Sequence, residues 1–92
     1  MTIARNSALA PSEDMISSEV DGEVMLISIS SGRYFALDGI GSEIWRRLQK
    51  PISFETLSAE LQDHFGGDPV TIDAEALEFV SKLVDRGLVS AT

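Results

Sequence analysis

The chain has 92 residues, enough for one domain and too few for two. It has no cysteine and one histidine, His64, which excludes disulfides, thiolate catalysis and cysteine-based metal sites, and leaves no histidine pair for a metal. Fifteen acidic residues against seven basic ones give a net charge of −8, a field that repels polyanionic partners.

A hydrophobic content of 43% suits a globular chain. No apolar run approaches the roughly 18 residues of a membrane span, and no basic-then-apolar stretch opens the chain. No membrane contact and a cytoplasmic location are therefore the expectations.

Residues 1–12 mix small and polar types without a period and read as a flexible arm, leaving residues 13–92 as the domain. Met15 to Val20 is short and β-compatible. It ends at Asp21-Gly22, a dipeptide suited to a hairpin turn in which both central residues take positive φ. From Glu23 to Ser30, Met25, Ile27 and Ile29 alternate with Val24 and Leu26, so both faces of this strand carry apolar side chains. Ser31-Gly32 marks a second turn, and Arg33-Tyr34-Phe35-Ala36-Leu37 a third strand rich in aromatics. Three runs joined by short turns make an antiparallel meander.

Beyond Leu37 the period becomes helical. Asp38 caps the first helix, whose stripe is Ile40, Ile44, Trp45 and Leu48, and Lys50-Pro51 stops it. Ser53 caps the second helix, with Phe54, Leu57, Leu61 and Phe65 on its apolar face and Gly66-Gly67 at its end. Asp68-Pro69 reads as a turn. The third helix is expected to start near Asp73, with Gly87 in the left-handed position after it. Strands followed by helices give an α+β fold, and a three-helix unit beside a small antiparallel sheet is the parts list of a winged helix-turn-helix.

No catalytic set emerges. Nucleophilic catalysis needs a base in reach of a hydroxyl or thiol, and Ser42, an expected helix-surface serine, has no histidine near it in sequence. His64 suits the end of the second helix, where a cation favours the dipole. Asp63, Asp68, Asp73 and Glu75 lack calcium-loop spacing, and Gly39-Ile40-Gly41 matches no phosphate-binding loop. Neither a metal nor a cofactor is expected, and the chain reads as a non-enzyme. A winged-helix DNA-binding regulator is disfavoured by charge: from Pro51 to Ser81 there are seven acidic residues and no Lys or Arg. An acidic carrier protein would need a serine in an Asp-Ser-Leu context at a helix start, which is absent.

Two features exceed what a core requires. The third helix carries two apolar stripes, Ala76-Phe79-Leu83 and Leu77-Val80-Val84. The third strand has no later strand to pair with unless Leu88-Val89-Ser90-Ala91 returns to it. An open strand edge beside an apolar helix flank is a slot into which an extended peptide adds as a strand. The expected lining is Arg33, Tyr34, Phe35, Ala36, Leu37 and Asp38 from the strand, with Leu77, Val80, Ser81 and Val84 from the helix. Phe79 and Leu83 are expected to face the other helices.

The segment from Tyr34 to Trp45 resembles the Y-x-x-L-[N/D]-x-x-G-x-x-I-W stretch of the PqqD-like family. Ser53 to Leu57 resembles that family's second-helix start, and Phe79, Leu83 and Gly87-Leu88-Val89 its F-x-x-x-L-x-x-x-G-L-[V/I] ending. The likeness runs from about Met15 to Val89, with Asp38 where Asn is common. It implies a RiPP recognition element, which binds the leader of a ribosomally made precursor along the third strand and third helix. Stand-alone members of about this length serve lasso-peptide maturation beside a leader protease and a macrocyclase. Others serve pyrroloquinoline quinone or radical-enzyme pathways as peptide chaperones.

Overall fold

A computed structural model describes residues 3–92 of the chain. Six strands and three helices follow one another as β1 (Ala8–Pro11), β2 (Met15–Val20), β3 (Glu23–Ser28), β4 (Tyr34–Ala36), α1 (Gly39–Arg47), β5 (Ile52–Ser53), α2 (Phe54–Phe65), α3 (Pro69–Asp85) and β6 (Val89–Ala91). They form two three-stranded antiparallel sheets, ordered β2-β3-β4 and β5-β1-β6. The expected meander is the first of these, and β4 is its third strand. Asp21 and Gly22 take φ of 53° and 82°, so the β2–β3 turn has the double positive φ that matches strand twist.

The second sheet departs from the sequence reading. Residues 1–12 are not an arm where they are described: β1 is the middle strand between β5 and β6, with Leu9 facing Ile52 and Ala91. Leu9 is fully enclosed and Ile3 is buried beside it in the core. The folded unit therefore begins before residue 13, at least by Ile3; Met1 and Thr2 lie outside the described residues. β1 has no amphipathic period because its partners are short strands from distant parts of the chain, and pairing with them supplies the order.

The helix caps show how local sequence sets the frame. Asp38 Oδ1 accepts from Gly41 N–H at 3.0 Å, and Ser53 Oγ accepts from Thr56 N–H at 3.1 Å. α2 ends on Gly66 at φ 66°, in the left-handed region. α3 starts four residues earlier than expected. Asp68 is its cap, accepting from Thr71 N–H, and Pro69 occupies the first turn, where a missing N–H costs nothing. Asp73 instead lies inside α3, where it accepts from Ser58 Oγ of α2 at 2.6 Å and pairs with Arg5. Arg5 thus ties the segment before β1 to the helical layer. The core runs between the layers through Leu9, Leu26, Ile44, Leu48, Phe54, Leu57, Leu61 and Val80, all fully buried.

Candidate peptide-binding groove

β6 pairs with β1, not with β4, so β4 keeps an open edge. In register, Leu26 faces Phe35, Ile27 faces Tyr34 and Met25 faces Ala36. Ser28 N–H donates to Arg33 C=O at 2.8 Å and Leu37 N–H to Val24 C=O at 2.9 Å. Antiparallel ladders alternate, so Arg33, Phe35 and Leu37 turn their backbone groups toward β3. Tyr34 and Ala36 therefore direct N–H and C=O to the free edge. Side chains alternate as well: Leu37 is buried and Phe35 half-buried on the core side, while Tyr34 and Ala36 are exposed.

Both ends of β4 are pinned. At its start, Asp14 holds the preceding turn: its carboxylate accepts from Ser28 Oγ at 2.5 Å, Ser30 N–H at 2.9 Å and Ser30 Oγ at 2.9 Å. These bonds, the Ser28 hydroxyl first, hold the Asp14 carboxyl below the usual range. At its end, Ser42 of α1 completes the ladder. Ser42 Oγ accepts from Val24 N–H at 2.9 Å and donates to Leu37 C=O at 3.0 Å, standing as a bridge where the strands would otherwise meet. Ser42 is fully buried, not on the helix surface. It locks β3, the end of β4 and α1 into one piece.

Two adjoining depressions lie beside β4, the smaller against the C-terminal half of α3 and the wider between the β3–β4 turn and the link from α3 to β6. One, of about 190 Å³, is walled by Phe35, Ala36, Leu37, Phe79, Leu83 and Leu88, with Lys82 and Arg86 at its rim. An apolar cavity of about 150 Å³ holds benzene, so this one suits a single large apolar or aromatic side chain. The other is wider, about 980 Å³, and runs toward the start of β4 past Arg33, Tyr34, Phe35, Arg86 and Asp14. Phe35, Arg86 and Leu88 border both, which makes them one trough. Gly41 shapes its wall: a Cβ there would stand 2.7 Å from Phe79 Cζ, so the bare glycine is what lets the Phe79 ring lie against α1.

Residues 23–89 match the family of coenzyme PQQ synthesis protein D. The chain belongs to the PqqD family. Among solved structures, "TbiB1 in Complex with the TbiA(beta) Leader Peptide" is similar to this PqqD-family chain at a TM-score of 0.81 and 27% identity, over 88% of this chain and 94% of that one. "Lasso peptide synthetase B1 complexed with the leader peptide" shares the fold at a TM-score of 0.78 and 17% identity, over 89% and 96%. A comparison with curated proteins finds no match.

On the strand side the expected lining is assembled in the trough. Arg33, Tyr34, Phe35, Ala36 and Leu37 all border it, but Asp38 borders neither depression and caps α1 instead. On the helix side the division into stripes does not hold: Ala76, Val80 and Leu83, drawn from both stripes, are buried in the core, and Leu77, Phe79 and Val84 are half-buried against it. Phe79 and Leu83, with Lys82 and Arg86, face β4. Val80 is fully buried, Leu77 and Val84 pack against the core, and neither they nor Ser81 border the trough. Spacing along α3 yields the two stripes but not the rotation of the helix against its neighbours. That rotation comes from packing on α2 and from the room beside Gly41. Arg86, beyond the last stripe residue, carried no sequence signal except its place one turn after Lys82.

Proposed function

We propose that this PqqD-family chain binds the leader of a ribosomally synthesised precursor peptide as a fourth strand of the β2-β3-β4 sheet and presents it to a leader protease and a macrocyclase in lasso-peptide maturation. The observation that carries this is the open, pinned edge of β4 beside an apolar cavity of one side chain's size. Backbone pairing with Tyr34 and Ala36 supplies affinity, and the cavity selects the side chain. The similarity to TbiB1, solved with a leader peptide, supports the same use of the slot.

On this reading the chain is a cytoplasmic non-enzyme. The Ser42 hydroxyl is buried and already donates and accepts, which argues against a nucleophile. Among the described residues, no helix is long and apolar enough to cross a membrane and no group of three or more His, Asp or Glu could hold a metal ion. The acidic faces of α2 and α3 argue against a DNA-binding regulator. The test is titration of isotope-labelled protein with the leader of the precursor encoded beside its gene. Amide shifts concentrated from Arg33 to Asp38 and at Phe79 to Arg86 are expected, and a leader that leaves β4 unshifted refutes the slot. A pyrroloquinoline quinone precursor binding there more tightly would place the chain in that pathway instead.

A further inference from the structure

Cations are scarce in this chain, and most are consumed by carboxylates. Arg5 pairs with Asp73, Arg46 with Glu19 and Glu43, Arg47 with Glu43, and Lys82 with Glu78. Arg33, Lys50 and Arg86 make no ion pair with any described residue. Two of these three, Arg33 from the turn before β4 and Arg86 from the end of α3, border the same depression at the start of β4. Asp14 borders it too, but its oxygens are engaged by Ser28 and Ser30, which keeps it on the turn. Lys82 borders the smaller cavity and not this depression, and its pair with Glu78 is an exposed one of little strength. The depression thus holds two guanidinium groups against the one carboxylate of Asp14, and in a chain of net charge −8 a net cationic end of a groove is a recognition feature.

Resting on the leader-binding reading, we infer that the trough reads two side chains in a set order: a large apolar or aromatic residue in the cavity beside Leu37, and an acidic residue between Arg33 and Arg86. A peptide antiparallel to β4 enters beside Leu37 and leaves beside Arg33. The acidic residue is then C-terminal to the apolar anchor. The two depressions meet at Phe35, on the strand face that it shares with Arg33 and Leu37, so the separation of the two side chains is even. With about 3.4 Å per residue along a strand, the four-residue span from Leu37 to Arg33 sets it at two or four positions. Arginine favours a carboxylate here because its planar fork takes both oxygens. The acidic residue also screens the leader: peptides with an apolar anchor are common, and those carrying an acid at this offset are fewer.

The experiment selects phage-displayed random 16-residue peptides on the wild-type protein, on R33E/R86E and on A36P, each checked for folding by circular dichroism. Wild-type selection is expected to enrich an apolar or aromatic residue followed two or four positions later by Asp or Glu. R33E/R86E should shift that position to Lys or Arg and weaken a selected acidic peptide at least tenfold, with binding recovered when the peptide's acid is changed to Lys. Enriched peptides without the acid, or an acid kept equally by R33E/R86E, overturn the inference and leave the leader-binding reading standing. No enrichment on the wild type, or enrichment that survives A36P unchanged, overturns the leader-binding reading itself.

Discussion

Val80 and Phe79 are adjacent on α3 and serve opposite ends, so truncating each to alanine separates folding from peptide binding. Val80 is fully enclosed in the core. Val80→Ala removes two methyl-sized groups at about 0.8 kcal/mol each in transfer energy, and the unfilled space raises the cost to about 2–3 kcal/mol. For a domain of this size that lowers the melting temperature by about 10–20 °C. Phe79 is half-buried and walls the cavity beside β4. Phe79→Ala should cost folding less, about 1–1.5 kcal/mol, half the value for full burial. It should weaken the leader tenfold or more, about 1.4 kcal/mol, because the wall of the anchor's pocket is lost. The assay is a melting curve and a calorimetric leader titration on each variant, with affinity expressed per folded molecule. If Val80→Ala weakens the leader as much as Phe79→Ala does, Val80 faces the groove and its assignment to the core is wrong.

Four further perturbations probe the frame around the groove. Ser42→Ala strips the partner from the buried Val24 N–H and from Leu37 C=O, and should cost about 2–3 kcal/mol by urea denaturation; a cost under about 0.5 kcal/mol would mean the strands close directly without the bridge. Gly41→Ala drives the Phe79 ring from its seat, so leader affinity should fall about tenfold or more while the helix itself gains propensity; unchanged affinity would show the ring's position to be irrelevant. Proline at Tyr34 or Ala36 removes a donor from the free edge and should abolish leader binding while proline at exposed Ser17 on β2 does not, as read by fluorescence anisotropy. The Asp73 carboxyl is held below its usual range by the Arg5 hydrogen bond and then by Ser58. A lowered folded-state value means stability present above the unfolded value of about 3.9 and lost as pH falls through the folded one. Asp73→Asn should therefore flatten the acid limb of urea midpoints measured from neutral to acid pH, and an unaltered limb would refute that role.

The sequence by itself determined the elements whose causes are local. The meander with its Asp21-Gly22 turn, the caps at Asp38 and Ser53 and the glycine end of α2 all follow from residues within a few positions of one another, whereas the free edge of β4 depends on β6 pairing with β1 instead. The strand half of the groove was local too, because alternation in Arg33 to Leu37 leaves little choice of face. The tertiary structure decided what depends on distant partners. Ala8 to Pro11 became a central strand because β5 and β6 bracket it, and no period within four residues announces that. Asp68 caps α3 by a local signal, its bond from Thr71 N–H with Pro69 in the first turn, whereas the holding of Asp73 between Arg5 and Ser58, 68 and 15 positions away in the chain, is tertiary. Ser42 turned inward to bridge Val24 and Leu37, a role set by where α1 crosses the sheet. The helix half of the groove was decided last, since hydrophobicity along α3 does not say which neighbour each apolar residue meets. The absence of a Cβ at Gly41 makes room for Phe79, and that packing turns Leu83, Lys82 and Arg86 toward β4 and buries Val80 in the core.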